Sequence, residues 1–410
     1  MNYIQKGSTT YWKGISALFL GSFVTFALLY CTQPLLPVFA EQFQLTPSHA
    51  SLSISLTTGF LALFMLIMSW LSNARGRKLI MTISLLGSAS LTILISFSEN
   101  FTALLALRAL QGIMLAGFPA IAMAYINEEF DPTVTSLVMG IYVSGTSIGG
   151  LTGRIIVSTF TDFFSWHIAL FSIGLLCIGV GIWFWFNLPD SKHFSPEKKR
   201  LTEITSTLSQ NLHHPTLLAL YAIGFIIMGS FVTLYNYIGY SLMASPYNLS
   251  QTVVGCIFSI YLVGTFSSTY MGQLVGHINR SKVLCLAIGI MLAGCLITLN
   301  TNLVLKIIGV ATLTFGFFGG HSVASSWVAK SAIADKAQAS SLYLLLYYLG
   351  ASVLGTLGGK FLNVYAWNGV VLLISISLLV ALSLVIFLVI KEAAYKIENL
   401  SSIDLKWFFK

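Results

Sequence analysis

The chain has 410 residues, of which 56% are hydrophobic and only 8% are charged. A soluble chain carries about 25% charged residues, so this composition excludes a soluble enzyme, a disordered scaffold and a secreted disulfide-stabilised protein. The 21 Lys and Arg residues exceed the 13 Asp and Glu residues. In so apolar a chain, that excess indicates cytoplasmic loops rather than a nucleic-acid-binding surface. The composition predicts a polytopic membrane protein.

Twelve apolar stretches follow one another along the chain. A helix needs about 20 mainly apolar residues to cross a bilayer core of roughly 30 Å, and each stretch is long enough to do so. The stretches lack the roughly ten-residue alternation of β-barrel strands, so they predict an all-α membrane protein. The predicted spans 1 to 12 are 14–38, 48–72, 79–97, 101–126, 134–158, 166–187, 215–241, 250–275, 282–299, 302–328, 339–360 and 366–390.

The predicted spans divide into two groups of six. A polar stretch at 188–214 predicts a cytoplasmic linker between an N-terminal six-helix bundle, 1–187, and a C-terminal one, 215–391, which a cytoplasmic tail, 392–410, follows. The loop after span 2 recurs after span 8, and the glycine pattern of span 5 recurs in span 11. Such repeats are typical of transporters. They predict two pseudo-symmetric bundles around a central cavity.

The basic residues are distributed unevenly about the predicted spans. Seventeen of the 21 Lys and Arg residues lie in the termini and in the loops on one side. The loops on the other side carry Glu41, Glu99 and Asp162 and almost no basic residue. Because cytoplasmic loops are enriched in Lys and Arg, both termini are predicted to face the cytoplasm.

The loop after span 2 carries a recognisable motif. It resembles the signature G-x-L-x-D-x-x-G-R-K/R of the major facilitator superfamily, and here it reads Ser69-x-Leu71-x-Asn73-x-x-Gly76-Arg77-Lys78. The resemblance covers essentially the whole chain, and it is specifically to the bacterial twelve-helix branch of proton-linked efflux proteins. It implies the two-bundle transporter fold and a location in the bacterial inner membrane.

The resemblance also implies that this loop gates the cytoplasmic mouth. Its basic residues would pair with acidic helix ends and stabilise one state of the gate. Asn73 replaces the family's Asp, which leaves Arg77 and Glu128 as the candidate ion pair. Ordinary positive-inside anchoring of the loop is the alternative. The candidate gating residues are Asn73, Gly76, Arg77, Lys78, Glu128 and, in the matching loop after span 8, Arg280.

Span 4 contains an arginine deep in its apolar stretch. Arg108, with Gln111 and Gly112, resembles the R-x-x-Q-G motif of proton-linked members of the family. An arginine within a membrane span is costly unless it faces a polar environment, so it indicates function by default. The resemblance implies that these three residues influence proton movement. The alternative is an arginine that extends to the outer headgroups.

Glycines recur along span 5. Gly145, Gly149 and Gly150 resemble the antiporter motif G-x₃-G-P-x₂-G-G, with Thr146 in place of the proline. Small residues let helices approach closely. The glycines therefore predict either a flexible contact between the two halves or close helix packing alone. Arg154, one turn further, is predicted to lie at the outer mouth rather than to bind a ligand.

Candidate cavity residues come from four spans. In span 1, Tyr30 and Gln33 belong to an element that resembles Y-x-x-Q-P-L-L-P of an efflux-like branch. Their alternative is a proline kink with a tyrosine in the interfacial belt. Tyrosines elsewhere suit a cavity for apolar or aromatic solutes, but belts and packing explain them too. His321 would carry protons or bond a neighbouring helix. The candidate cavity residues are Tyr30, Gln33, Asn236, Tyr237, His321 and Tyr347.

Charges and reactive groups narrow the function further. No acidic residue falls clearly within a predicted hydrocarbon-spanning segment, whereas Arg108 and Lys306 do, which favours neutral or anionic solutes over strongly cationic ones. The sequence has no phosphate-binding loop, metal-spaced His/Cys cluster or nucleophile elbow. Its five cysteines lie in apolar spans without a C-x-x-C pair. We therefore expect no enzyme activity, no cofactor and no metal.

These observations together predict a secondary transporter that works by alternating access. The leading hypothesis is proton-coupled export of a small amphipathic organic solute. Proton-linked or facilitated uptake of a neutral or anionic metabolite is the alternative within transport. A non-transporting membrane receptor or chaperone on the same scaffold is the alternative from another class. The expected partners are a small-molecule substrate, protons and the lipid bilayer, without nucleic acid, and one chain is expected to suffice as a monomer.

Overall fold

The computed structural model describes residues 3–194, 211–212, 214–332 and 336–408, of which 336–337 and 392–408 are described by their backbone. Within these residues the chain is almost entirely helical, and the only strand-like pairing is an isolated bridge between Ile4 and Phe130. The predicted all-α fold is confirmed. The basic cluster predicted at 198–200 and the side chains of the predicted tail lie outside the described part.

The helices follow the order of the predicted spans. In the N-terminal half they are Thr9–Tyr30 with Leu36–Gln42 (span 1), Pro47–Arg75 (span 2), Arg77–Ile95 (span 3), Phe101–Leu115 with Pro119–Glu129 (span 4), Thr135–Phe163 (span 5) and Trp166–Asn187 (span 6). In the C-terminal half they are Pro215–Met243 (span 7), Gln251–Cys256 with Tyr261–Leu274 (span 8), Arg280–Ile297 (span 9), Leu303–Ser331 (span 10) and Lys336–Phe408.

The number of spans depends on how the last helix is divided. In the described part, ten helical stretches are long and apolar enough to cross a membrane. One of them, Gln338–Lys391, has 54 residues and covers predicted spans 11 and 12, which a kink at Tyr365 and Ala366 separates. Span 5 is a 29-residue helix that is not among the ten, because its many Gly, Ser and Thr residues lower its hydropathy.

Prolines divide span 1 and span 4. Pro34 has no N–H to donate, and the chain there forms a 3-10 turn, Gln33–Leu35, between the two helices of span 1. Pro119 opens the second helix of span 4, where a proline costs nothing because the first N–H groups of a helix have no partner. Broken helices leave carbonyl groups free, and inside a membrane protein other protein groups must bind them.

The two halves contact each other at one end of the molecule. We call the end where spans 1 and 2 meet the outer end, after the predicted orientation, and the opposite end the inner end. Three links between spans 2 and 11 lie toward the outer end: Ser48 Oγ donates to the carbonyl of Thr356 (2.9 Å), and Ser352 and Thr356 donate to Ser55 (2.8 and 2.7 Å).

Further links join the halves around the break in span 1. Gln251 donates to the carbonyl of Pro34 (2.6 Å), and Tyr240 donates to that of Leu36 (2.7 Å). Thr252 donates to the carboxylate of Asp162 at 2.7 Å. The halves are therefore closed against each other at the outer end.

Candidate functional site

The motif loop lies at the inner end, between spans 2 and 3. Gly76 has φ +97°, a left-handed conformation that favours glycine, and no atom would lie within 4 Å of an added Cβ. Arg77 donates to both carboxylate oxygens of Glu128, at 2.6 and 3.1 Å, and to Ser72 Oγ at 2.7 Å. The structure thus brings together the two residues that the sequence analysis proposed as a pair.

The other candidate gating residues lie around this pair or at the matching position. Lys78 binds Asp190 of the linker at 2.9 Å. Asn73 is half-buried one turn before Arg77. Arg280 lies at the start of span 9, with its guanidinium 5.2 Å from the ring centre of Trp327. The two basic loops are therefore separate clusters, one in each half.

Arg108 is completely buried inside the N-terminal half. It donates to the carbonyls of Leu28 (3.1 Å), Leu29 (2.8 Å) and Ser53 (2.6 Å), and to Gln111 Oε1 (2.5 Å). Leu28 and Leu29 belong to the last turn before span 1 breaks, where helix carbonyls lose their partners. Arg108 therefore binds the broken end of span 1, rather than reaching toward the headgroups.

Gln111 and Gly112 complete the contact of span 4 with its neighbours. Gln111 donates to the carbonyl of Ser88 (3.1 Å) and to Thr92 Oγ1 (2.6 Å), both in span 3. A Cβ at Gly112 would lie 3.0 Å from the Cα of Thr57 in span 2. The R-x-x-Q-G residues thus connect spans 1, 2, 3 and 4.

The glycines of span 5 lie against span 1 of the same half. A Cβ at Gly145 would lie 2.5 Å from the carbonyl oxygen of Phe19, and one at Gly149 would lie 2.5 Å from the Cα of Phe23. Gly150 lies beside Arg154, whose Nη1 would be 3.2 Å from the added atom. The contacts of these glycines are the close packing of two helices within one half.

Arg154 is a functional candidate that the sequence analysis misplaced. It is not at the outer mouth: only 1% of it is exposed. The reason is that span 5 continues to Phe163, nine residues beyond Arg154, or about 13 Å at 1.5 Å per residue. The signal in the sequence for this buried cation was a basic residue within an apolar span, one turn after the glycine motif.

The guanidinium of Arg154 joins both halves. Its Nε donates to Gln33 Oε1 (2.7 Å), and Gln33 Nε2 donates to Asn236 Oδ1 in span 7 (2.7 Å). Its Nη2 donates to the hydroxyl of Tyr261 in span 8 (3.3 Å), and its Nη1 to the carbonyl of Gly150 (2.7 Å). Two predicted cavity residues, Gln33 and Asn236, therefore meet in one polar link that crosses the boundary between the halves.

Aromatic rings surround this cation. Its Cζ lies 4.3 Å from the ring centre of Tyr30, and 4.8 Å from those of Phe258 and Tyr261. Such distances are within the range of a cation–π interaction. We call these three rings the Arg154 cage. Tyr30, predicted as a cavity residue, thus belongs to this cage and not to an interfacial belt.

The remaining cavity candidates lie in the C-terminal half. His321 Nδ1 lies 3.0 Å from the hydroxyl of Tyr343, and the His321 ring centre is 4.5 Å from that of Tyr347. Tyr237 donates to the carbonyl of Gly355 at 2.5 Å, which fixes span 7 against span 11. His321 and Tyr347 therefore form one cluster, and Tyr237 is a packing contact.

A row of rings connects the Arg154 cage with His321. Tyr261 lies 5.2 Å from Phe231, Phe231 stacks on Phe317 at 3.8 Å, and Phe317 lies 6.2 Å from His321, all between ring centres. We call Tyr261, Phe231, Phe317 and His321 the aromatic row. Its members come from spans 7, 8 and 10, which the sequence does not show to be adjacent.

Among the residues up to Lys391 whose side chains are described, the carboxylates lie at helix ends and in loops. Glu41 and Glu128 lie within two residues of a helix end, and Glu129 ends span 4. Among the described residues, no group of three His, Cys, Asp or Glu side chains is placed to hold a metal ion. The buried polar groups around Arg154 and His321 are therefore a guanidinium, amides, hydroxyls and an imidazole.

Comparison with known proteins identifies the family. Residues 18–246 match the profile described as Major Facilitator Superfamily. The chain belongs to the major facilitator superfamily. It is 46% identical over 382 residues to the MFS-type transporter YybF of Bacillus subtilis, which covers 93% of this chain and 95% of that protein. It is 44% identical over 380 residues to the inner membrane transport protein YnfM of Escherichia coli, which covers 93% and 91%.

More distant matches agree with the family. The multidrug resistance protein MdtG of Proteus mirabilis is 28% identical over 294 residues, covering 68% of this chain and 71% of that one. The crystal structure of a peptide transporter POT in complex with sulfate superposes with a TM-score of 0.75 at 13% identity, covering 93% and 94%. That likeness concerns the fold. The chain is a multi-pass membrane transporter and not an enzyme.

Proposed function

We propose that this transporter is an inner-membrane antiporter that exports a small amphipathic organic solute in exchange for protons. The halves 1–187 and 215–391, joined by the linker 188–214, move against each other, and one chain supplies a complete pathway as a monomer. Both termini lie in the cytoplasm, which the 17 basic residues on that side support. Similarity to a multidrug resistance protein supports export as the direction.

The observation that carries the proposal is the closure of the halves at the outer end around a buried polar link. The halves meet there through single hydrogen bonds between side chains and carbonyls, such as Ser48 with Thr356 and Gln251 with Pro34. Each such bond contributes only about 0.5–1.5 kcal/mol, so the contact can open and reform. Alternating access requires such a contact at each end in turn.

Proton coupling is assigned to the break in span 1 and to His321. Arg108 binds the carbonyls before the break, and Gln33 within the break reaches Asn236 in the other half. A change at Arg108 or Gln111 thereby alters the outer closure. His321 lies within span 10, and an imidazole binds and releases a proton without leaving its place, so it is the proposed proton carrier.

Proton flux in everted membrane vesicles tests this proposal. Vesicles with an acidified lumen receive cationic, neutral or anionic amphipathic compounds, and a pH-sensitive dye reports proton release. We expect release with the intact protein and at least a tenfold lower rate with Arg108→Ala at equal membrane abundance. Lys360→Ala removes an exposed cation from span 11 and serves as the matched control, with an unchanged rate.

Other outcomes would redirect the assignment. A rate that Arg108→Ala leaves intact contradicts the proton-coupling role of the R-x-x-Q-G residues. Uptake of a neutral or anionic metabolite is the second candidate function, because the buried cation Arg154 suits such a solute. It would be favoured by compound-dependent proton movement in the opposite direction.

A further inference from the structure

The starting point is a buried cation without a carboxylate. Arg154 is 1% exposed, and the ion pairs of the described residues involve Arg77, Lys78 and His193 but not Arg154. Within the described chain its acceptors are an amide, a carbonyl and a phenol. A charge buried between the halves within the membrane is costly unless it is paired. The buried guanidinium therefore indicates an anionic partner that binds reversibly.

The hydrogen-bonding capacity of the region is incompletely used. A guanidinium has five N–H donors, and Arg154 uses three of them within the described chain. Asn236 Nδ2, Thr32 Oγ1 and Ser158 Oγ, all buried, also have no partner among the described residues. Asn236 and Thr32 adjoin Gln33 by hydrogen bond or by sequence, and Ser158 lies one turn beyond Arg154. The unused groups are mostly donors, which suits an oxyanion.

Aromatic rings also surround the cation. Tyr30 and Phe258 face the guanidinium, and the aromatic row continues from Tyr261 through Phe231 and Phe317. Phe231 and Phe317 are stacked and Tyr261 is tilted by 48° against Phe231, so the row offers ring edges and faces to another aromatic body. The fixed charge lies at one end of that row.

We propose that Arg154 and the aromatic row form a binding site for an aromatic carboxylate. The carboxylate binds the guanidinium, and its ring system lies along Tyr261, Phe231 and Phe317. This inference rests on the proposed transport function and names the class of solute for it.

The partners of Arg154 explain how such a site would exchange its ligand. Tyr261 and Asn236 belong to the C-terminal half, whereas Arg154 and Gln33 belong to the N-terminal half. Opening of the outer end separates Tyr261 from Arg154 and frees one donor of the guanidinium. The bonds to Gln33 and Gly150 stay within the N-terminal half. The carboxylate binds the donors that Arg154 leaves unused while the outer end is closed, and the donor freed from Tyr261 is added when that end opens.

Binding to the purified full chain in detergent tests this site independently of transport. The probes are 2-naphthoate, its neutral analogue 2-naphthamide and the cationic 2-naphthylmethylammonium, titrated by calorimetry. We expect the wild-type protein to prefer naphthoate, and Arg154→Gln to weaken naphthoate binding about 10- to 100-fold, the range for a hydrogen bond to a charged group. Naphthamide binding stays unchanged.

Two further variants guard against a merely structural effect. Arg154→Lys keeps the charge but not the planar fork, so we expect naphthoate to bind about tenfold more weakly with a reduced preference over naphthamide. Lys360→Gln removes one exposed positive charge and leaves both affinities unchanged. If Arg154→Gln does not yield monodisperse protein, the comparison of Arg154→Lys with the wild type tests the site.

Several results would overturn the site. The wild-type protein could prefer naphthamide or the ammonium probe, or bind none of the probes. The Arg154 variants could bind naphthoate as tightly as the wild type, or lose naphthamide binding to the same extent as naphthoate binding. Failure of the proposed export is a different result: Arg154-dependent naphthoate binding without any proton release leaves this site in place and removes the proton coupling.

Discussion

Replacement of Gly149 by alanine tests the close contact of spans 1 and 5. An added Cβ would lie 2.5 Å from the Cα of Phe23, against 3.4–4 Å for an ordinary contact. The shortfall of about 0.9 Å lies against backbone, so a side-chain rotation does not relieve it and the helices must separate. Overpacking of this kind costs about 1–3 kcal/mol.

Gly140 in the same helix supplies the matched control, because nothing would lie within 4 Å of its Cβ. Both substitutions bring the same gain in helix propensity, so the difference between them isolates the contact. We expect Gly149→Ala to unfold about 2–6 °C below Gly140→Ala in detergent, at roughly 2 °C per kcal/mol. Equal unfolding temperatures for the two variants would refute the reasoning.

Three further predictions concern the gate, the outer closure and the proton. Arg77→Ala should lower the transport rate several-fold through loss of a bidentate pair, and Arg77→Glu combined with Glu128→Arg should restore part of it; a fully active Arg77→Ala contradicts the gating role. Asn236→Leu removes the acceptor of Gln33 and weakens the closure of the outer end. It should therefore raise the labelling rate of a cysteine at Ser48 in intact cells, and unchanged labelling would contradict a role of this bond in the closure. His321→Asn removes the proposed proton carrier and should abolish solute-dependent proton release in proteoliposomes. Unaltered proton release would assign the proton elsewhere.

Local patterns were sufficient for the ion pair at the inner end. Arg77 and Glu128 form the predicted pair because a glycine turn fixes Arg77 at a helix start and Glu128 lies in the last turn of span 4. The helix order and the all-α class follow from apolar length alone, since a bilayer leaves a chain few ways to satisfy its backbone.

Interpretation from sequence was weaker for single polar residues inside spans. Gln33 and Asn236 were grouped as cavity residues, but nothing in the sequence showed that they bond each other across 203 positions. Arg154 was placed at the mouth because the end of span 5 was set five residues short of the observed end at Phe163. A small error in a helix boundary changes the inferred depth of a charge by several ångströms.

The amino-acid sequence by itself determined the membrane class, the order of the helices, the repeat and the basic inner loops, because these depend on hydropathy and on residues near one another in the chain. Tertiary structure alone decided that Arg108 binds the broken end of span 1, that the span 5 glycines pack within one half, and that Arg154 lies in an aromatic cage between the halves. Those outcomes depend on the rotation and tilt of helices distant in sequence, and packing sets both.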